Sequence, residues 1–515
     1  MMHLIDSTQQ MSEFVDPIRL AGFDSSADVF SLDGRVIRCF RQGKGELSRQ
    51  VFQTCAHYRL FQHGIVETRE LSQLSWNGAA YDLILEHERI AFISYPHEWS
   101  PTMLQDAAIL HVDLFMKLAP LGLTIKDWHP YNILFKGPCP IFVDFASLVP
   151  FNHLPSEEYL NPPSPPHRLA LFWDINAVYL YEMYSRMCVP YFLLPLYLME
   201  RGQHQQARLR LIETALNARD DILGEDEVFS RGSRERRKYR VKGWAKKLAL
   251  VQAGHQKSAF FRLLRREIRS RTVELSASSY SEYYLAKNEA FSYTPSDEWT
   301  GKQWAVFDAL SSYQPKTVLD LACNTGWFSI LAAKMGCDVV AVDIDEACVD
   351  ILYRRAKQEA LSILPLVIDL LHFPDDMMPL PHMVKYNSTD DSKESSLFPA
   401  ASKRLRCDMV LALAIVHHLT LGHGLSFDEV AELLARFTKC CLVVEFVAMD
   451  DTLIADNPGF FPSLCRNRSS FDGYTLEGFI SALSHLFRVT EIRPSSSGSR
   501  TVLVCERQQD RSGLL

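Results

Sequence analysis

The stretch from Thr317 to Ile368 constrains the fold more than any other part of the chain, because short apolar runs rich in Val, Ile and Leu alternate there with helix-length segments. Thr317 to Leu321, Val339 to Val342 and Leu364 to Ile368 read as buried strands; Trp327 to Met335 and Glu346 to Ala360 read as the helices between them. Three strand–helix units in succession predict an α/β fold built on a doubly wound, mostly parallel sheet. Strands resume at Cys407 to Ala414 and Cys441 to Val447, on either side of a helix from Ser426 to Lys439. The runs Phe487 to Arg493 and Thr501 to Glu506, joined by Pro494-Ser-Ser-Ser-Gly498, predict a closing hairpin with an antiparallel last strand. Lys385 to Ser402 interrupts the alternation and reads as a surface insertion, since Asn387 to Ser396 holds few apolar groups.

At 515 residues the chain exceeds what one hydrophobic core normally organises, so several domains are expected. The pattern divides into residues 1–150, which mix short strands with helices, 151–300, a helical region opening on the Pro-rich loop Pro155 to Pro166, and 301–515, the alternating part. Arg231 to Arg271 carries fifteen Lys/Arg against Glu235 and Glu267, within a chain of net charge −8. That run suits an anionic partner or a solvated helix face; Phe260, Phe261, Leu263, Leu264 and Ile268 recur at helical spacing and favour the face. The apolar run Val189 to Met199 is eleven residues long and holds two prolines, too short to cross a bilayer, and reads as core. The N-terminus shows no secretory pattern, and the twelve cysteines form no CxxC pair or Cys/His metal spacing. A cytoplasmic protein with reduced thiols, no transmembrane segment and no structural metal is expected.

On a doubly wound sheet a nucleotide-like ligand sits at the carboxyl ends of the central strands, over a tight turn. Val318-Leu-Asp-Leu-Ala-Cys-Asn-Thr-Gly-Trp-Phe-Ser329 supplies strand, turn and helix, with Asp320 ending the strand and Ala322, Asn324 and Gly326 in the turn. Asn tolerates positive φ, and Ala is the smallest side chain with a Cβ, so both can stand in for glycine. Asp343 closes the next strand, 23 positions after Asp320, where an acid would bind ribose hydroxyls. A dinucleotide dehydrogenase would want GxGxxG to cradle a pyrophosphate; the AxNxG turn offers no such cradle.

These residues resemble the class I S-adenosylmethionine-dependent methyltransferase family, over about 200 residues. The resemblance implies that Asp320, Ala322, Asn324, Gly326, Asp343 and Asp369 bind S-adenosylmethionine, with Asp343 on the ribose and Asp369 on the adenine amino group. It also brings in the strand ending Ala414-Ile-Val-His-His-Leu419. His417 or His418 would there act as base or orient the acceptor, or the pair would only shape the pocket. Glu445 is a further buried carboxylate near that edge, catalytic or structural.

Asp127-Trp-His-Pro-Tyr-Asn132, followed by Ile141-Phe-Val-Asp144, has the spacing of a phosphotransfer loop: an Asp for the acceptor hydroxyl, an Asn five positions later and an Asp at a strand end for magnesium. Asp127, Asn132 and Asp144 resemble the catalytic segment of aminoglycoside-type and protein kinases. That resemblance implies a kinase-like α+β N-terminal region, with Tyr81 to Leu85 and Arg89 to Ser94 as strands and Glu46 to His63 as the lobe-bridging helix. Arg38 stands about where such a fold has its phosphate-binding Lys, and no GxGxxG precedes it. A scaffold that holds the acceptor is therefore expected over an active kinase, and Mg-ATP would be a cofactor only for the latter.

The function these readings support is an S-adenosylmethionine-dependent methyltransferase acting on a small-molecule, sugar or glycan acceptor. The alternatives are a bifunctional kinase-methyltransferase and a non-catalytic S-adenosylmethionine-binding interaction protein. Bacterial glycan-modifying proteins that join kinase-like and methyltransferase modules, and some rhizobial nodulation-type proteins, are similar in layout. Nucleic acid is not expected as substrate: only the basic segment speaks for it, and no Asn/Asp-Pro-Pro-Tyr motif ends the fourth strand. Acceptor identity and oligomeric state are not written in the sequence.

Overall fold

The computed structural model describes residues 2–4, 18–20, 26–32, 34–71, 74–76, 79–153, 183–216, 257–275, 292–371, 400–456, 459, 461, 463–464, 473–495 and 498–508. The Pro-rich loop 155–166, most of the basic segment 231–271 and nearly all of the insertion 385–402 lie outside the described residues.

The N-terminal region pairs the strands Met2–Leu4 (β1), Ile18–Leu20 (β2), Ala27–Leu32 (β3), Arg35–Arg41 (β4), Thr68–Glu70 (β5), Leu74–Trp76 (β6) and Ala79–His87 (β7) into one antiparallel sheet. Its order is β1-β6-β7-β4-β3-β2, with β5 also on β7. Helix Gly45–His57 (α1) follows β4, where the expected lobe-bridging helix lies; it stops early because Arg59 adopts φ +54° and only a short turn, Leu60–His63, continues it. Alternation decides the sheet's faces: Phe40, Leu83 and Leu85 point into the main core, while Ile37, Cys39 and Ile84 pack with Phe30 on the other side. Below the sheet, helix Pro101–Leu118 (α2) is capped by Ser100 and leads to the strands Leu123–Ile125 (β8), Ile133–Lys136 (β9), Cys139–Phe142 (β10) and Leu148–Pro150 (β11). β9 and β10 form a hairpin, and β11 pairs β8.

Two expectations change here. Tyr81 to Leu85 lies in β7, but Arg89 to Ser94 is irregular chain. Its carbonyl at Ile93 is taken by the Arg404 guanidinium at 2.7 Å, so distant side chains replace a strand partner. In the helical region, helix His204–Leu216 (α3) precedes helix Lys257–Arg269 (α4), whose Phe260, Phe261, Leu264 and Ile268 are buried against α2, with the Phe261 and Phe115 rings stacked at 5.3 Å. Leu263, read with that apolar set, lies instead on the outer face, 44% exposed. The segment Val189 to Met199 is core, with Tyr191, Phe192, Leu196 and Met199 buried.

The C-terminal region begins with helix Gly301–Tyr313 (α5), started by a capping box of Thr300 and Gln303. Then come Thr317–Leu321 (β12), Trp327–Lys334 (α6), Asp338–Asp343 (β13), Glu346–Glu359 (α7), Ile363–Val367 (β14), Ala401–Arg404 (α8), Cys407–Ala412 (β15), Phe427–Phe437 (α9), Thr438–Val447 (β16), Leu476–Ser484 (α10), Phe487–Pro494 (β17) and Arg500–Arg507 (β18). The sheet order is β14-β13-β12-β15-β16-β18-β17; all neighbours are parallel up to β16, and β18 runs antiparallel to both β16 and β17. This is the doubly wound sheet that the alternation predicts. Residues 401 and 402, assigned to the polar insertion, belong to α8, which is packed: Ala401 and Arg404 are buried.

The two regions share a core. Tyr353 on α7 is fully buried, with its hydroxyl 2.7 Å from Asp106 on α2 and 3.0 Å from the Pro138 carbonyl in the β9–β10 turn. Asp350, one turn earlier, accepts the Ser100 hydroxyl at 2.7 Å and the Thr102 amide at 3.1 Å, so the cap of α2 is shared with the C-terminal region. Glu98, fully buried in the turn Pro96–Glu98, is paired with the Arg404 guanidinium, which also lies 4.5 Å over the Tyr95 ring. Burial raises the Glu98 carboxyl above its ordinary value, and Arg404 counters this only in part. Removing one member of such a pair strands the other charge at a cost of about 3–5 kcal/mol. Urea unfolding of Glu98→Ala is therefore expected to show a loss of about that size, with Glu98→Ala/Arg404→Met recovering most of it.

Candidate cofactor and transfer site

The chain leaves β12 at Leu321 and must turn sharply to start α6. It does so with Ala322 at φ +55°, Asn324 at φ +53° and Gly326 at φ +80°, the three small positions of the AxNxG turn. A left-handed residue with a Cβ costs about 1–2 kcal/mol, least for Asn, so the turn retains the glycine geometry at an energetic cost. Gly326 is under a second constraint, because a Cβ there would collide with the Leu352 side chain of α7.

Asp343, at the end of β13, holds the turn in place. Its Oδ2 accepts the Asn324 amide at 2.7 Å and its Oδ1 accepts the Asp345 amide at 2.9 Å. Asp345 in turn caps α7 by accepting the Ala347 and Cys348 amides. Burial raises the Asp343 carboxyl, and these amides pull against that. Asp369 follows β14 and accepts the Leu371 amide at 2.9 Å, while the Ile368 amide donates to the Asp343 carbonyl. The structure thus brings Asp320, Ala322, Asn324, Gly326, Asp343 and Asp369 to one end of three adjacent parallel strands. Ile344, between Asp343 and Asp345, is 66% exposed, an aliphatic surface beside two carboxylates that the sequence reading did not single out. Its signal was the Val-Asp-Ile-Asp run, where an apolar residue outlasts the strand.

Asp320 sits beneath the turn, buried, with Oδ2 accepting the Ser329 hydroxyl at 2.6 Å. Burial pushes its carboxyl up to about 7, only partly countered by Ser329.

At the end of β15, Ala414 takes φ +52° and turns the chain toward His417 and His418. The two rings lie 4.3 Å apart and both pack on Phe461. His417 is buried with no hydrogen-bond partner for Nδ1 among the described residues. Burial first, then His418 and Arg500, hold it well below the usual imidazole range, and burial brings His418 down to about 4. Both are neutral at pH 7. Glu445 resolves as structural: it is fully buried, paired with Lys302 at 3.1 Å and accepting the Ser495 hydroxyl at 2.5 Å. Asp451 is saturated too, by Arg500, Ser499 and the Leu453 amide.

A separate cluster forms in the N-terminal region. Asn132 donates to the Asp127 carbonyl at 3.1 Å, which closes the Asp127–Asn132 loop. Asp144 follows β10; its Oδ1 accepts from Arg38 on β4 at 3.2 Å and its Oδ2 accepts the Ser147 hydroxyl. The two bonded pairs are tied together by the Val143 amide, which donates to the Asn132 carbonyl at 2.9 Å.

Residues 318–406 match the family model described as a methyltransferase domain. The matched residues span β12 to the end of α8, and the C-terminal region has the Rossmann-like methyltransferase fold. Over its whole length the chain is similar to the nodulation protein NoeA of Rhizobium meliloti (strain 1021), 26% identical over 507 residues, covering 96% of this chain and 97% of that protein. Among solved structures it matches the bifunctional kinase-methyltransferase WbdD at 17% identity, covering 39% of this chain and 37% of that chain with a TM-score of 0.27. It also matches the N-methyltransferase NodS from Bradyrhizobium japonicum WM9 at 12% identity, covering 40% and 94%, again with a TM-score of 0.27. No helix among the described residues is long and apolar enough to cross a membrane.

Two outcomes follow from the geometry of the methyltransferase turn. Because the fold favours neutral Asp320, its contribution is complete below pH about 4 and is lost as pH rises toward 7, at roughly 1.4 kcal/mol per pH unit. The stability of Asp320→Asn relative to wild type is expected to climb across that window in denaturant titrations. Ala322→Gly, which relieves a left-handed alanine, is expected to gain about 1 kcal/mol in the same assay.

Proposed function

We propose that this chain transfers a methyl group from S-adenosylmethionine to a small-molecule, sugar or glycan acceptor, with the kinase-like region holding that acceptor. The observation that carries the reading is the Asp343 network, which holds a carboxylate, the small-residue turn and the exposed Ile344 together at the carboxyl end of the sheet. In this reading Asp343 accepts from the ribose hydroxyls, Ile344 covers the adenine face, Asp369 faces the adenine amino group, and Asp320 with the turn Ala322–Gly326 supports the amino-acid end. The donor set fits this ligand, with no phosphate cradle and carboxylates for its hydroxyl and amino groups.

S-adenosylmethionine, when bound, supplies a methyl group on a positively charged sulfur. What remains for the protein is to align a nucleophile and, for a hydroxyl, to accept its proton. His417 is the residue for that task in this reading. It is neutral, its Nδ1 is uncommitted among the described residues, and the nearby carboxylates Glu445 and Asp451 are already engaged. His418 and Phe461 hold the ring in place.

For the N-terminal region, the Arg38–Asp144 ion pair supports a holding role, because a guanidinium engages the carboxylate that a phosphotransferase would turn toward magnesium. A bifunctional kinase-methyltransferase is the second reading; the Asn132–Asp127 bond favours it, since it keeps the phosphotransfer loop closed. The division near residues 150 and 300 belongs to the same proposal.

Calorimetric titration with S-adenosylhomocysteine is expected to show binding by wild type and roughly 100-fold weaker binding by Asp343→Ala, from the loss of two charge-assisted hydrogen bonds. Equal affinities would remove Asp343 from the site. His417→Phe is expected to keep that affinity while losing turnover to S-adenosylhomocysteine in the presence of a cell extract. For the kinase-like centre the expected result is no magnesium-dependent ATP hydrolysis, and activity abolished by Asp144→Ala would establish the second reading.

A further inference from the structure

Helix α3 lies between the two centres and is bonded to elements of both. From its first turns, Arg208 donates through Nη2 to Glu346 Oε1 at 2.6 Å and to the Trp99 carbonyl at 3.2 Å, and through Nη1 to the His97 carbonyl. His204 Nδ1, one turn earlier, lies 2.7 Å from Glu346 Oε2, so both carboxylate oxygens of Glu346 face the same helix. One turn after Arg208, the Leu211 carbonyl accepts the hydroxyl of Tyr131, which belongs to the Asp127–Asn132 loop. Glu346 is the first residue of α7 and follows directly on Asp345, whose amide is bonded to Asp343. These contacts link the kinase-like loop through α3 to the loop that carries Asp343.

We infer that Arg208 is a positioning residue for the cofactor loop, and that α3 couples cofactor affinity to the state of the kinase-like loop through Tyr131. The inference rests on the S-adenosylmethionine reading above, and it goes beyond it by naming a helix outside the methyltransferase domain as part of what sets that affinity. Arg208 touches none of Asp320, Asp343 or Asp369. It fixes where the first turn of α7 begins, and Asp345 passes that position to Asp343. Burial alone would raise the Glu346 carboxyl, but His204 and Arg208 bring it below its ordinary value, so the contact is an ionic one. Lys cannot replace Arg here, because three acceptors in different directions need the planar fork of the guanidinium. Coupling between binding sites is reciprocal, so a ligand that moves the Tyr131 loop changes cofactor affinity by the same factor as the cofactor changes affinity for that ligand.

The test uses the full chain and S-adenosylhomocysteine as probe, with Kd read by calorimetry and folding by thermal unfolding without ligand. Arg208→Ala and Arg208→Lys are each expected to weaken binding about tenfold or more. Tyr131→Phe is expected to weaken it severalfold although it touches no cofactor-loop residue, and the Tyr131→Phe/Arg208→Ala double variant is expected to depart from additivity. Arg271→Ala removes a comparable ion pair, with Glu200 and Glu267, elsewhere in the helical region. It is the control: expected to lower Tm and leave Kd unchanged, as a merely structural role of Arg208 also would. A Kd for Arg208→Ala within twofold of wild type overturns the inference, and strict additivity with Tyr131→Phe overturns its coupling part. Absence of binding by wild type would instead count against the cofactor reading.

Discussion

Helix α7 is packed on both sides, and much of the architecture depends on that. One side closes the sheet of the methyltransferase domain, where Leu352 fills the space that Gly326 leaves open. The other side carries Asp350, Tyr353 and Lys357 against α2 of the N-terminal region. A ring as large as Tyr353, fully withdrawn from water, is worth about 1.5–3 kcal/mol by burial. Its hydroxyl is satisfied by two oxygens of the opposite region, so the contact is specific as well as apolar. The same helix starts at Asp345 and Glu346, beside Asp343. Docking of the two regions and placement of the loop that carries Asp343 are therefore one structural problem, solved by one helix.

The candidate site combines expensive and inexpensive features. Two left-handed alanines, Ala322 and Ala414, sit at the carboxyl ends of β12 and β15, where a sharp exit from the strand is required. Asp343 offsets part of that cost by fastening the Asn324 amide to the neighbouring strand end. Around His417 the pattern differs: Glu445 and Asp451 are tied up by Lys302 and Arg500, while the neutral His417 imidazole has no hydrogen-bond partner for Nδ1 among the described residues.

The elements of the parallel sheet were legible because each strand is buried on both faces and its apolar run is unbroken, as in Val339 to Val342. Predicted and observed bounds there differ by at most three residues, the largest gap being at β16, which begins at Thr438 instead of Cys441. The positions of Asp343 and Asp369 at the carboxyl ends of β13 and β14 were legible for the same reason, since each acid closes an apolar run. Reading failed where long-range partners decide. Arg89 to Ser94 has strand-like composition, yet Arg404, more than 300 residues away in sequence, takes its carbonyl. Leu263 belongs to the same apolar set but falls on the outer face, while Phe260, Phe261, Leu264 and Ile268 are buried. Ala401 and Ser402 looked like the end of a polar insertion, yet they belong to a helix that the Arg404–Glu98 pair places at an interface.

The sequence by itself determined the local chemistry: a doubly wound sheet from the alternation of apolar runs, a turn of small residues after Asp320, carboxylates at Asp343 and Asp369, and the Asp127, Asn132 and Asp144 spacing. Each of these depends on residues close together in the chain, and periodicity reports on such residues. The tertiary structure alone decided which charges neutralise which. Arg38 meets Asp144, Arg404 meets Glu98, Arg208 meets Glu346 and Lys302 meets Glu445 across separations of more than a hundred residues. Ion pairing depends on distance in space and on the water excluded around the pair, neither of which a linear pattern encodes.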